Sequence, residues 1–218
     1  MYLPITHGIA ASGDLSNVTV SNLNTTGADL ILAFGAYNAG TGFSINDTKM
    51  NIWNPLTEIS DVAGQTCRMF WSRPNYVGSN HSFNGNTSFG FLTMAIAAFS
   101  GSKGTPFDQQ NGASQSAGAT GFSSGLVQPI FLNELIVTGI CLFWSSDPTS
   151  IDSNFILLDH IAGVPSVNFG CGLAYKIKRD NAPENPLWVW SGSVSPAASI
   201  ATFQAIEENQ IMVGQQFF

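Results

Sequence analysis

Charge is what this sequence has least of. Seven Lys and Arg and 14 Asp and Glu among 218 residues make charged side chains only 10% of the chain, where about a quarter is ordinary for a soluble domain. The net charge of -7 comes without clustered cations, so the chain lacks what a phosphate backbone requires and no nucleic-acid partner is expected. Its one basic cluster, Lys176, Lys178 and Arg179, alternates in the manner of the solvated side of a strand. With 44% hydrophobic residues, solubility has to come from neutral Asn, Ser and Thr. Charge keeps free surfaces apart, so such a chain reads better as one part of an assembly or a surface coat than as a concentrated free monomer.

Other absences narrow the function further. No run of about 18 apolar residues offers a membrane span. The start, MYLPITHGIAASGDLS, has neither a basic leading region nor a continuous apolar core, so no signal peptide is expected and synthesis in the cytoplasm is. The three cysteines, Cys67, Cys141 and Cys171, are odd in number and lie in apolar runs. They read as buried free thiols rather than a disulfide framework, with a Cys67–Cys171 bridge left open. His7, His81 and His160 are scattered, none in a metal-spaced pair, and there is no GxSxG; no enzyme and no cofactor are expected. Asp147, Asp152 and Asp159 have the oxygens that calcium takes. Without a loop register, they read as carboxylates capping a loop.

What is present is a repeat. Ile96, Ala97 and Phe99 return as Ile200, Ala201 and Phe203, Cys67 returns as Cys171, and Asp29-Leu30-Ile31 returns as Glu134-Leu135-Ile136, all at an offset of about 104 residues. That pattern predicts an internal duplication. Strands are expected at 17–22, 28–37, 66–72, 89–100, 134–144, 155–161, 169–178 and 199–206, with a proline-interrupted edge at 50–59 and a short strand around Trp188-Val189-Trp190. Residues 40–48 read as loop and 78–86 as turn chemistry throughout. About ten strands and no convincing helix predict an all-β sandwich or jelly roll. Its parts would be an N-terminal arm (1–16), a sandwich (17–206) with halves 17–101 and 126–206 joined by a packed crossover (102–125), and a docking tail (207–218).

Two kinds of contact residue follow from this organisation. Met1, Tyr2 and Leu3 in the arm, and Phe217 and Phe218 in the tail, are the candidate assembly contacts, because a chain ending on two phenylalanines must bury them or aggregate. Tryptophans can stack on sugar rings. Trp53, beside Asn51, Asn54 and Pro55, is the candidate for exposure, and Trp188 and Trp190 share one face that would form a platform if open.

Residues 17–206 carry a resemblance. LTEISDVAG, then CRMFW, FGFLTMAIAAFSGSKGTPFD and NELIVTGI resemble a loosely defined family of jelly-roll-like β-sandwich proteins found in tailed-phage virions and on bacterial surfaces. The resemblance implies a sandwich that coats or decorates a particle and carries no catalytic residues over. It implies a virion-surface location, most simply as a capsid decoration or cement protein, forming homo-oligomers and touching the major capsid protein or tail proteins. The alternative is a carbohydrate-binding module or receptor-binding tail component, with a host-surface glycan as its partner.

Overall fold

A computed structural model describes residues 1–13, 15–61, 64–143 and 146–206. Every element among them is a β-strand, and every pairing between strands is antiparallel. One inner sheet runs in the order β1 (Leu3–Ala11), β9 (Thr93–Ser100), β3 (Leu30–Asn38), β7 (Gln65–Ser72) and β5 (Asn54–Pro55), with β6 (Ile59–Ser60) also on β7. The second inner sheet runs β10 (Ser102–Ser114), β17 (Pro196–Ala205), β12 (Glu134–Leu142), β15 (Gly170–Lys178) and β14 (Ile156–Ile161). Each is backed by a three-stranded outer sheet. The first is β2 (Asn17–Leu23), β8 (His81–Asn86) and β4 (Ser44–Asp47); the second is β11 (Ala119–Ser123), β16 (Leu187–Val194) and β13 (Ser150–Ile151).

Three apolar clusters hold these layers together. Leu30, Leu32 and Phe34 of β3 meet Leu135 and Val137 of β12 between the inner sheets. The alternate residues Ile31 and Ala33 face Val18, Val20 and Phe83 of the outer sheet, and Ile136 and Ile140 of β12 face Trp188 and Trp190. The central strands of the inner sheets, β3, β9, β12 and β17, are therefore covered on both faces. That is the physical reason their sequences are mainly apolar runs rather than alternating ones.

The two halves repeat one topology. The order β1-β9-β3-β7 backed by β2-β8-β4 matches β10-β17-β12-β15 backed by β11-β16-β13. Register repeats as well: Leu30 lies opposite Phe99 as Leu135 lies opposite Phe203, and Ala36 opposite Cys67 as Cys141 opposite Cys171. Even the irregularity recurs, at Pro4/Thr6 on β1 and at Phe107/Gln109 on β10.

Several expectations need correction. The stretch 1–16 is not a separate arm, because Leu3–Ala11 is an edge strand paired along β9, with Pro4 at the irregularity where an edge tolerates it. The stretch 102–125 is not a crossover but β10 and β11, whose Gly, Ser and Gln content suits an edge and an outer strand. The junction between halves falls instead at Gly101. Its φ of 97° and a Cβ position 2.2 Å from the Met1 carbonyl oxygen leave room only for glycine. Segments 78–86 and 40–48 contain β8 and β4. In β8, His81, Phe83 and Gly85 point inward while Ser82, Asn84 and Asn86 face out, an alternation hidden by its polar and turn-forming residues. Lys176 and Lys178 do not form a solvated face: both ammonium groups bind Glu184 Oε1 (2.7 and 2.6 Å), and Lys178 is buried.

Cys67, Cys141 and Cys171 are free and fully buried, and burial pushes all three thiols well above their ordinary pKa. A thiolate is the reactive species, so the native protein is expected to resist a thiol-titrating disulfide reagent at pH 8 and to release three equivalents only in denaturant. Fast reaction under native conditions, followed spectrophotometrically, would contradict this core.

Candidate functional site

The residues marked in the sequence do not gather into one site. Tyr2 is buried, its ring edge-on to Phe99 and its hydroxyl donating to the Gln204 carbonyl (2.8 Å), so it is a core residue rather than an assembly contact. Met1 and Leu3 are exposed. Phe217 and Phe218, with the rest of 207–218, lie outside the described residues.

Of the tryptophans, Trp188 and Trp190 do share a face, but it is the inward one, at 0% and 3% exposure, closed by Ile136, Ile140 and Ala174. They offer no platform to a sugar. Trp53 is half-buried edge-on to Phe83 and donates its Nε1–H to Asp47 Oδ2 (2.8 Å). Asp147, Asp152 and Asp159 have separate partners: His160 (2.6 Å), the Leu187 amide (2.7 Å) and His7 (2.7 Å).

A buried polar cluster lies under the first outer sheet. His81 Nδ1 is hydrogen-bonded to Thr25 Oγ1 (2.9 Å), and its Nε2 lies 3.1 Å from Asp47 Oδ1. Threonine, histidine and aspartate invite comparison with a nucleophile and base. However, all three are buried, His81 stacks on Phe83 at 4.2 Å, and the Thr25 hydroxyl also bonds to Gly78 O. No substrate reaches that hydroxyl, and the cluster ties loops to the sheet.

A more exposed feature lies near Gly101. The Met1 backbone packs on one side of Gly101, and the Ile206 amide donates to its carbonyl (2.9 Å). The Asp29 carboxylate takes the Gly101 and Ser102 N–H groups (3.0 and 2.9 Å). Lys103 reaches from here to Gln204 Oε1 (2.9 Å) and sits 5.1 Å from the Phe131 ring. The neighbouring loop before β12 presents Ile130, Phe131 and Leu132 at 61%, 40% and 61% exposure, and Met1, Leu3 and Ile206 are exposed as well.

The loop backbone is held at two consecutive amides. The Ile130 amide donates to Asp108 Oδ2 (3.1 Å) and the Phe131 amide to Glu134 Oε1 (3.0 Å), while Asn133, at φ 62°, makes the turn into β12. Asp108 sits at the β10 irregularity and also accepts from Thr202 Oγ1 (3.2 Å). Glu134 is fully buried beside it, and burial, reinforced by the Asp108 charge and opposed by the Phe131 amide, raises its carboxyl to about 7. The sequence offered one signal for this site, the short apolar run PIFLN between a proline and an asparagine. The acid pair had none.

On the other side of Asp108 is an open groove of about 520 Å³ lined by Thr57, Ile59, Phe107 and Gln109 among others. Phe107 is exposed there, and Trp71 lies near-parallel to it at 11°, with ring centroids 6.4 Å apart.

No protein-family model, no curated protein and no solved structure matches this chain.

Proposed function

We propose that this protein is a non-enzymatic structural component of a virus particle, a surface or decoration subunit of a tailed-phage capsid related to the jelly-roll-like virion proteins. The observation that carries this reading is the Ile130-Phe131-Leu132 loop, whose apolar side chains stand exposed while two of its backbone amides are anchored to Asp108 and Glu134. Exposed apolar groups clustered with polar anchoring mark contact surfaces in soluble proteins. Here the occupant is the apolar surface of a neighbouring particle subunit, either the major capsid protein or a second copy of this chain. Low charge and a four-layer stack suit a static role, in which many weak contacts act together. The repeated strand order and register support an origin by internal duplication.

The test replaces Ile130 and Leu132 together by serine. Both are exposed, so the variant is expected to fold with its thermal midpoint within a few degrees of wild type. Its copy number per particle, counted by quantitative mass spectrometry of intact virions, should fall at least about tenfold. A folded variant that incorporates normally would overturn the docking reading.

Glycan binding is the second reading, now favoured by Phe107 and Trp71 rather than by Trp53, Trp188 or Trp190. An exposed ring beside a carboxylate and an amide has the elements of a sugar subsite. Retention on a glycan array that disappears in Phe107→Ala would establish it, and no retention by the wild-type protein would remove it.

A further inference from the structure

The apolar loop depends on two acids that face each other. Asp108 Oδ2 already takes two donors, from Ile130 N and Thr202 Oγ1. Glu134 Oε1 takes the Phe131 amide, but Glu134 Oε2 is buried and meets no hydrogen-bond donor among the described residues. Two polar side chains stand beside the Glu134 carboxyl, the Asp108 carboxyl, which raises it, and the Thr202 hydroxyl, which lowers it.

A buried carboxylate with an unfilled oxygen next to a second carboxylate is unfavourable twice over, through desolvation and through like charge. One proton between the pair removes both penalties, because the protonated acid becomes a donor to its neighbour. The other charged and ionisable groups nearby are already engaged. Lys178, across the strand from Glu134, binds Asp180 and Glu184. Asp29 holds the Gly101 and Ser102 amides, Lys103 holds Gln204 over Phe131, and the Tyr2 phenol, pushed up by burial, donates to Gln204 O.

We propose that Glu134 holds a proton against the neighbouring Asp108 carboxylate and that this proton is a switch for the Ile130-Phe131-Leu132 loop. With it in place, the two anchors stay together and the loop is held with its apolar side chains outward. Without it, two adjacent carboxylates repel and the anchors part. The direction follows from linkage. Glu134 binds its proton more tightly when folded, so the stabilisation is complete below the ordinary glutamate value and is lost as pH rises through about 7.

Amide hydrogen exchange on the full chain tests this. Protection factors at Ile130 and Phe131, corrected for intrinsic exchange, should fall at least about tenfold between pH 5.5 and 8.5 in the wild type. They should stay flat in Glu134→Gln, which keeps an acceptor for Phe131 and gives Asp108 a permanent donor. Flat protection in the wild type, or the same fall in Glu134→Gln, would overturn the proposal. Should that variant not fold, Asp108→Asn removes the like charge and should move the midpoint down by at least about one pH unit; an unmoved midpoint also overturns it.

The consequence for docking rests on the assembly reading. Particles washed at pH 8.5 should retain fewer copies than particles washed at pH 5.5. Equal retention alongside a clear exchange step would uphold the switch and remove the docking reading.

Discussion

Trp188→Ala should destabilise the protein by about 3–5 kcal/mol, a large part of the roughly 5–15 kcal/mol that holds a domain together. Trp188 is the largest of the fully buried side chains among the described residues, and it joins the second outer sheet to the second inner sheet. The fit is specific. A Cβ at position 172 would stand 2.9 Å from the indole ring, so the ring occupies the space that glycine leaves on β15. Its Nε1–H lies between two hydroxyls, Ser124 Oγ (3.1 Å) and Thr138 Oγ1 (3.3 Å). Truncation would open a cavity that β16 cannot collapse into, because β11 and β13 pair with it on either side. Trp188→Phe separates the two contributions. It keeps most of the volume and loses the N–H, and about 1–3 kcal/mol is expected. Urea unfolding measures both. A loss below about 1 kcal/mol for the alanine variant would mean that the outer sheet is not packed as described.

The same region shows why part of the architecture was legible and part was not. Strands β3, β9, β12 and β17 are covered on both sides over most of their length, so each is a mainly apolar run. Their repeat at about 104 residues coincides with a repeat in register. Strand β16 is different, because LWVW is apolar on both faces: Leu187 and Val189 are exposed and Trp188 and Trp190 buried. Alternation placed the two tryptophans on one face, but nothing in four apolar residues says which face is covered. Strands β8 and β10 failed for another reason. Their inward positions are filled by His81 and Gly85, or by the Gly and Gln of an edge, so burial there leaves little hydrophobic signal.

The candidate site was hidden by distance along the chain. Asp108 belongs to a strand irregularity and Glu134 to the start of β12, and they meet only because β17 lies between the two strands. Similarly, His7 finds Asp159 across 152 residues. Pairings of this kind come from sheet order, which composition and local periodicity do not encode. The loop they support was locally visible as PIFLN, but the anchoring of its amides was not.

The second large effect is expected at Asp47, where Asp47→Ala should cost about 3–5 kcal/mol by leaving buried donors without an acceptor. Asp47 Oδ2 receives Trp53 Nε1 (2.8 Å), and Oδ1 receives the Lys49 amide (2.8 Å) and Asn51 Nδ2 (3.3 Å). His81 Nε2 also lies 3.1 Å from Oδ1. Asn51 in turn holds the Asn75 and Tyr76 amides (2.9 and 3.1 Å), so the damage would spread into the loop after β7. Burial alone would raise the Asp47 carboxyl, but His81, Trp53 and the Lys49 and Asn51 amides together outweigh it and hold the carboxyl below its usual value. The sign is therefore opposite to that of Glu134. The Asp47 contribution is complete above the ordinary aspartate value of about 3.9 and is lost as pH falls through the lower folded value. The Glu134 contribution is lost as pH rises from the ordinary glutamate value towards about 7. Between these limbs, stability should peak near pH 4–5. Thermal midpoints from pH 2.5 to 8.5 would show it: Asp47→Asn should flatten the acid limb and lower the whole curve, and Glu134→Gln should flatten the limb on the neutral side. A wild-type curve that climbs steadily to pH 8 would contradict the protonated pair, and an acid limb unchanged in Asp47→Asn would assign it to other carboxylates.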